Sequence, residues 1–416
     1  MASIKILEKD YTKSDVYSAT DTIVFIPGMI GFDENGNQVA TGSILNIPQL
    51  FSDVIAFEKK IGKTPMIIEQ DTEHVEYDKS FVMAKQLIGM GMKVLYDVVG
   101  KDGSPVTTES DIREVLGDST YWSKLEDRAL YNVRFLTSGG YCAVNGSDTA
   151  IATSMTVTAS NRGDCVALLD HPINIVSAES LLELFKGVTL QSPQYATAFT
   201  PWIKASLSEN FGEVVIDDPD GYWTLPGSYA YLCAYNNMVK DNATWLAAAG
   251  ASRGAIPTLK EPLVAYGEKV CNEIQSREEG AVAINPITYV TPYGYRIYGN
   301  RTLKPNVDGL RATSFLNIRN LISDIKKTCF QACRIMAFEQ NTDILWYNLK
   351  SRITPTLDQM VSNEGIRGYK VYRVATTEKA KVVGKVRIIP IEAVEDFEIT
   401  VELVDSLDFE VNTVEE

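Results

Sequence analysis

Hydrophobic positions along this chain recur with two periods, and the clearest switch between them lies within Ile284 to Phe338. The run Ile284-Asn285-Pro286-Ile287-Thr288-Tyr289-Val290 leads to a turn at Tyr293-Gly294-Tyr295 and returns as Arg296-Ile297-Tyr298-Gly299-Asn300-Arg301-Thr302-Leu303. β-Branched and aromatic residues on both sides of a glycine predict a hairpin. Ser314 then stands as an N-cap for a helix from Phe315 to about Phe338. At 100° per residue, Ile318, Leu321, Ile322, Ile325, Cys329, Cys333 and Met336 share one face. Arg319, Lys326, Lys327 and Arg334 fall on the opposite flank as a basic strip.

The earlier chain alternates strand and helix. Thr22 to Gly28 is a continuous apolar strand with a Pro-Gly stop, and Ile47 to Gly62 predicts a helix capped at Asn46 with Pro48 in its first turn. Met66–Glu69 and Lys93–Val99 predict strands, with a helix from Asp78 to Ile88 between them. Gly89-Met90-Gly91-Met92 is a helix C-cap and tight turn, because a dinucleotide loop needs its glycines after a strand and before a helix. Further on come a helix at Asp111–Leu116, a strand at Val133–Leu136, a helix at Ala150–Ala159, and the apolar strand Asp164–Asp170. Ala178–Phe185, capped by Ser177, is helical, and Glu213–Ile216 is a strand. Such spacing predicts an α/β fold whose mainly parallel sheet is covered on both faces.

Both ends differ from this body. Residues 1–20 form no core pattern, and Ile4 and Ile6 alternate as in an extended arm. Near the other end Phe397, Ile399, Val401 and Leu403 alternate with Glu398, Thr400 and Glu402, the period of a half-buried strand that has no sheet of its own. Strand addition to another subunit is the expected solution. Charge sharpens it: residues 285–390 hold 17 lysines and arginines against 7 acids, whereas 391–416 hold 10 acids and no base. The whole chain is at −15 with a pI near 4.8, which argues against nucleic acid as the main partner.

The 416 residues, 45% of them hydrophobic, suffice for a large core and two or three domains. Six cysteines without a CxxC pair are expected to be free core thiols in a reducing compartment. The N-terminus lacks a signal-peptide apolar core and no run of about 20 apolar residues occurs, so neither secretion nor a membrane span is expected.

Candidate chemistry is thin. Gly250-Ala251-Ser252-Arg253-Gly254 fits the nucleophile-elbow pattern, but the preceding Asn242–Ala249 reads as a helix, and both histidines, His74 and His171, come before Ser252. Two histidines supply no zinc cluster, and there is no phosphate-binding P-loop pattern. The acids of Asp217-Asp218-Pro219-Asp220-Gly221 lack calcium-loop spacing. Neither cofactor nor metal is expected.

The succession of segments resembles the tail sheath proteins of contractile bacteriophages and phage-tail-like injection particles. It is carried by Leu50–Gly62 with Phe57, Phe81–Val98 with its Gly-Met-Gly turn, Asn161–Asp170, Tyr195–Lys204 with Pro201-Trp202, and Pro226-Gly227-Ser228-Tyr229-Ala230. Above all it rests on Ile284-Asn285 through Gly299-Asn300-Arg301-Thr302-Leu303.

The resemblance implies a central subtilisin-like α/β domain without catalytic residues, over 21–283. To this it adds a smaller α+β domain at 284–390 facing an inner tube, an N-terminal arm at 1–20 and an acidic strand arm at 391–416. It implies a non-enzymatic, helical homo-oligomer of stacked hexameric rings, contracting around a tail tube protein with baseplate and tail-terminator partners. Its place would be a virion tail or similar particle assembled in a bacterial cytoplasm. Ile4, Ile6, Phe397, Ile399, Val401 and Leu403 would be donated arms, and Arg319, Lys326, Lys327 and Arg334 would face the tube or a neighbour. An α/β hydrolase using Ser252, or a non-contractile tube or capsid protein, are the other readings.

Overall fold

The computed structural model describes residues 22–42, 44–70, 75–206, 222–307, 309–377, 380–391 and 393. The arm residues Ile4, Ile6, Phe397, Ile399, Val401 and Leu403, together with His74, the Glu213–Ile216 strand and the Asp217–Gly221 acids, lie outside them.

Ile-Val-Phe-Ile-Pro-Gly forms β1 (Ile23–Gly28), every residue of it buried. So apolar a strand needs cover on both faces, and it sits mid-sheet. The others are β2 (Gln49–Phe51), β3 (Lys93–Val98), β4 (Phe135–Thr137), β5 (Val166–Leu168) and β6 (Ala196–Thr197), in the order β6-β5-β4-β1-β3-β2. All pairs are parallel except β2 with β3. Helices α1 (Val54–Lys60), α2 (Lys79–Gly89), α3 (Ala150–Arg162), α4 (Ala178–Lys186) and α5 (Gly227–Met238) pack around this sheet. α5 is almost wholly buried: Tyr231 stacks on Phe199 at 4.3 Å, and Tyr235 meets Phe135 edge-on at 4.9 Å. The expected mixed α/β fold is the one observed.

Local chemistry explains most boundaries. Asp78 caps α2 by accepting from Ser80 N at 3.0 Å, and Ser177 caps α4 by accepting from Ser180 N at 3.1 Å. Two predicted helices are corrected. The Ile47–Gly62 segment gives its first half to β2, so α1 starts only after Asp53, which accepts from Ala56 N at 3.0 Å. Asn46 instead bonds both backbone groups of Gly100, at 2.9 and 3.0 Å. Asn242–Ala249 is a series of turns rather than a helix, because Asn242 Nδ2 bonds back to Met238 O and Trp245 is drawn into a second core.

The predicted hairpin forms as β8 (Asn285–Val290) and β9 (Gly294–Ile297), with β7 (Phe199–Thr200) parallel beside β8. Asn285 ties it to the body: Nδ2 lies within 3.0 Å of Thr197 Oγ1, Ala198 O and Arg301 O, and Oδ1 accepts from Arg301 N at 2.7 Å. Gly299 must lack a side chain, since a Cβ there would meet Asn285 Oδ1 at 2.6 Å.

Ser314 closes a short 3₁₀ turn, after which α6 (Leu316–Ile335) begins with Phe315 at its N-cap. α6, α7 (Asp343–Ser362) and the antiparallel pair β10 (Ile366–Val374) and β11 (Val383–Pro390) enclose the second core, with Trp245, Leu321, Ile325, Ile353, Leu357, Met360, Ile366 and Val371 inside. Ile284, Ile287, Ile297, Leu303 and Leu316 belong to the first core, so the two cores meet along α6 rather than at the hairpin.

The cysteines are free, and Cys165, Cys233 and Cys271 are buried. Cys333 is a correction to the core-thiol expectation: it is exposed, because α6 runs out beyond both cores at that end. No described helix is long and apolar enough to cross a membrane.

Candidate functional site

Three places could carry function, and the sheet names the first. Chain order reverses between β1 and β4, the position where open α/β sheets hold ligands beyond their strand ends. Here that position is filled by the protein itself. Asp78 accepts from Met29 N at 2.9 Å, Ser80 Oγ at 2.6 Å and Tyr141 Oη at 2.7 Å. Asp170 accepts from Ser228 Oγ at 2.8 Å, and burial raises its carboxyl to about 6. Burial also lowers His171 to about 4, and its ring is taken up by Pro172 O at 2.9 Å and Thr200 Oγ1 at 3.1 Å. Nearby lies a cavity of about 160 Å³ lined by Lys79, Glu109, Tyr141, Cys142 and Trp202. Burial pushes the Cys142 thiol up to about 12, the reverse of what a nucleophile needs. Ser252 is exposed on the helical turn Gly250–Arg253, and neither hydrogen bond of the His171 ring goes to it. Among the described residues no cluster of three or more His, Cys, Asp or Glu is placed to hold a metal.

The second place is the predicted basic strip on α6, which turns inward for most of its length. The Arg319 guanidinium lies 4.2 Å over the Tyr195 ring, and Lys326 Nζ reaches Tyr195 Oη at 3.2 Å. Lys327 is buried and donates to Val133 O at 3.0 Å. Arg334 is exposed, with Ala129 O at 3.5 Å. Arg319 and Lys327 are therefore held within the chain; Arg334 and part of Lys326 remain outward. The Tyr195 ring and the Val133 carbonyl, rather than carboxylates, receive the strip. Asp324, on the same helix, pairs with buried Arg134 just ahead of β4 and accepts from Thr244 Oγ1 at 2.6 Å. The C-terminal end of α3, a natural cation partner, abuts Lys326 at Gly163. Burial alone would lower Arg134, but Asp324 and the facing Tyr235 and Tyr231 hold it above its usual value.

The third place is the module that the sequence pattern did not reveal. β10 and β11 form a two-stranded sheet, so among the described residues each keeps an unpaired edge. The two strands carry Arg367, Lys370, Arg373, Lys385 and Arg387 and no acid. Arg373, near the end where the two strands are joined, bonds Asp343 of α7 at 2.9 Å and Asn341 just before it at 2.8 Å. Trp346 lies against Gly384, where a Cβ would come within 2.9 Å of its ring. Ile335, Phe338, Ile344 and Tyr347 are exposed around the α6–α7 turn, with Phe338 at φ +69°.

No family model and no curated protein matches the chain. Solved structures do match, and over nearly its whole length. The sheath complex of PVC, an extracellular contractile injection system, in its contracted state is 16% identical with a TM-score of 0.62, covering 98% of each chain. The anti-feeding prophage (AFP) helical sheath in the contracted state is 13% identical with a TM-score of 0.60, covering 97% of this chain and 99% of that one. A sheath tail protein from Desulfitobacterium hafniense is 8% identical with a TM-score of 0.50, over 94% and 100%. At these identities the likeness is one of fold: the chain has the fold of contractile sheath proteins. The resemblance read from its segments is borne out at that level.

Proposed function

We propose that this chain is the structural subunit of a contractile sheath, polymerising helically around a tail tube and shortening from a metastable extended lattice. The observation that carries this reading is a fold match to contracted-state sheaths that spans both cores and nearly the whole length of each chain. The strand-end crevice supports it, because its carboxylates and imidazole are spent on internal hydrogen bonds.

In this account the arms make the lattice. The acidic 391–416 strand, through Phe397, Ile399, Val401 and Leu403, adds to an open edge of β10–β11 on a neighbouring subunit, where Arg367, Lys370, Lys385 and Arg387 complement its charge. The 1–20 arm, with Ile4 and Ile6, acts likewise. Stacked hexameric rings, tube, baseplate and terminator contacts belong to the same proposal, with Arg334 and Lys326 as the outward basic residues of α6. Heterologous contacts that do not close generate such a helix, and release from the metastable lattice needs no nucleotide. The double substitution Ile399→Asp with Val401→Asp should leave a folded, soluble chain that no longer sediments as polymer. Normal polymer from that variant would sink the donated-strand account.

A further inference from the structure

The inward turn of α6 poses a problem of charge balance. Lys327 Nζ donates to Val133 O ahead of β4, and the charged or titratable groups around it are Arg134 beside that carbonyl, Arg162 and Asp164 at the end of α3, the Cys165 thiol next to them, and Asp324 on α6 itself. Both carboxylates already have an arginine. Asp324 pairs with Arg134, and Asp164 with Arg162 at 3.0 Å. The two ion pairs are neutral as a set, so a charged Lys327 leaves the buried cluster with one uncompensated positive charge.

We propose that this seam is a proton-operated joint: proton uptake by Lys327 loosens the docking of α6, and of the α7–β10–β11 module it carries, against the end of the parallel sheet. The two cores meet here, so loosening the seam frees one with respect to the other without unfolding either. Burial, helped by the Arg134 charge, brings the Lys327 ammonium down to about 7. In the open or unfolded chain it returns to about 10.4. The docked state thus binds fewer protons than the open one between about pH 7 and 10, and docking strengthens as pH rises through that window. Below about 7 both states are charged and the full penalty of the buried cation remains. His171 does not contribute in this window, since burial keeps it neutral down to about 4.

The joint is intramolecular, so it can be tested on the unassembled full-length chain and stands apart from sheath assembly. The experiment is amide hydrogen exchange at pH 6.5 and 8.5, corrected for intrinsic rates, reading α6 against α2 in the same molecule. From the two pKa values, opening of α6 should be about 20-fold rarer at pH 8.5. Lys327→Met should abolish the dependence. Lys327→Arg, permanently charged, should hold α6 at pH 8.5 as open as the wild type is at pH 6.5. If α6 protection changes no more than that of α2 in the wild type, or if the dependence survives in Lys327→Met, the joint does not exist.

Discussion

Single residues set how this chain is held together, and Asn285 shows how. A carboxamide offers two donors and an acceptor in one plane, and here all are used between β6, β8 and the Arg301 strand-end backbone. Asn285→Ala leaves the Arg301 amide and carbonyl buried without that partner and should cost about 3 kcal/mol, read from the denaturant midpoint. Asp324→Asn strands Arg134 in the seam and should cost about 3–5 kcal/mol by the same measurement. Adjacent residues at the crevice oppose each other in acid. His171, lowered to about 4, loses stability as pH falls from about 6.5, because only the unfolded imidazole gains the proton. Asp170, raised to about 6, gains stability over nearly the same range, because the folded carboxyl protonates first. Thermal melts of His171→Gln should therefore show stability rising from pH 6.5 to 4.5 relative to wild type; a flat difference would contradict the assigned directions.

At the scale of elements, the long periodic segments were legible and the locally ambiguous ones were not. β1, α2, α4 and the β8–β9 hairpin follow from apolar runs, side-chain caps and a glycine turn. Asn46 misled as a cap because its side chain bonds the Gly100 backbone across the chain, a partner no local pattern announces. α7 carries Pro355 in its interior and a weak apolar stripe, so its twenty residues left no clear periodic signal, although Thr342 caps it by accepting from Leu345 N at 3.2 Å. The strand alternation of β10 and β11 is blurred by basic residues that a two-stranded sheet leaves exposed. The α6 periodicity held for the apolar face from Ile318 to Ile325 but not at Cys333, and it was incomplete about the basic flank, because Arg134, the α3 terminus and the Tyr195 ring are supplied by tertiary structure. If α7 and β10–β11 share one core, Leu357→Ala should remove about 2–4 kcal/mol and raise hydrogen exchange in β10 while sparing β3.

The whole molecule is a large parallel-sheet body joined along α6 to a small basic module with open strand edges. Open edges are an aggregation hazard unless a strand covers them, and the chain's own acidic, alternating tail has the matching period and charge. The most direct test is negative-stain electron microscopy of the purified full-length chain beside one lacking residues 391–416. The account predicts striated helical tubes from the first and dispersed particles from the second. Identical tubes from both, or a full-length chain that stays dispersed even when co-expressed with its tube protein, would contradict it.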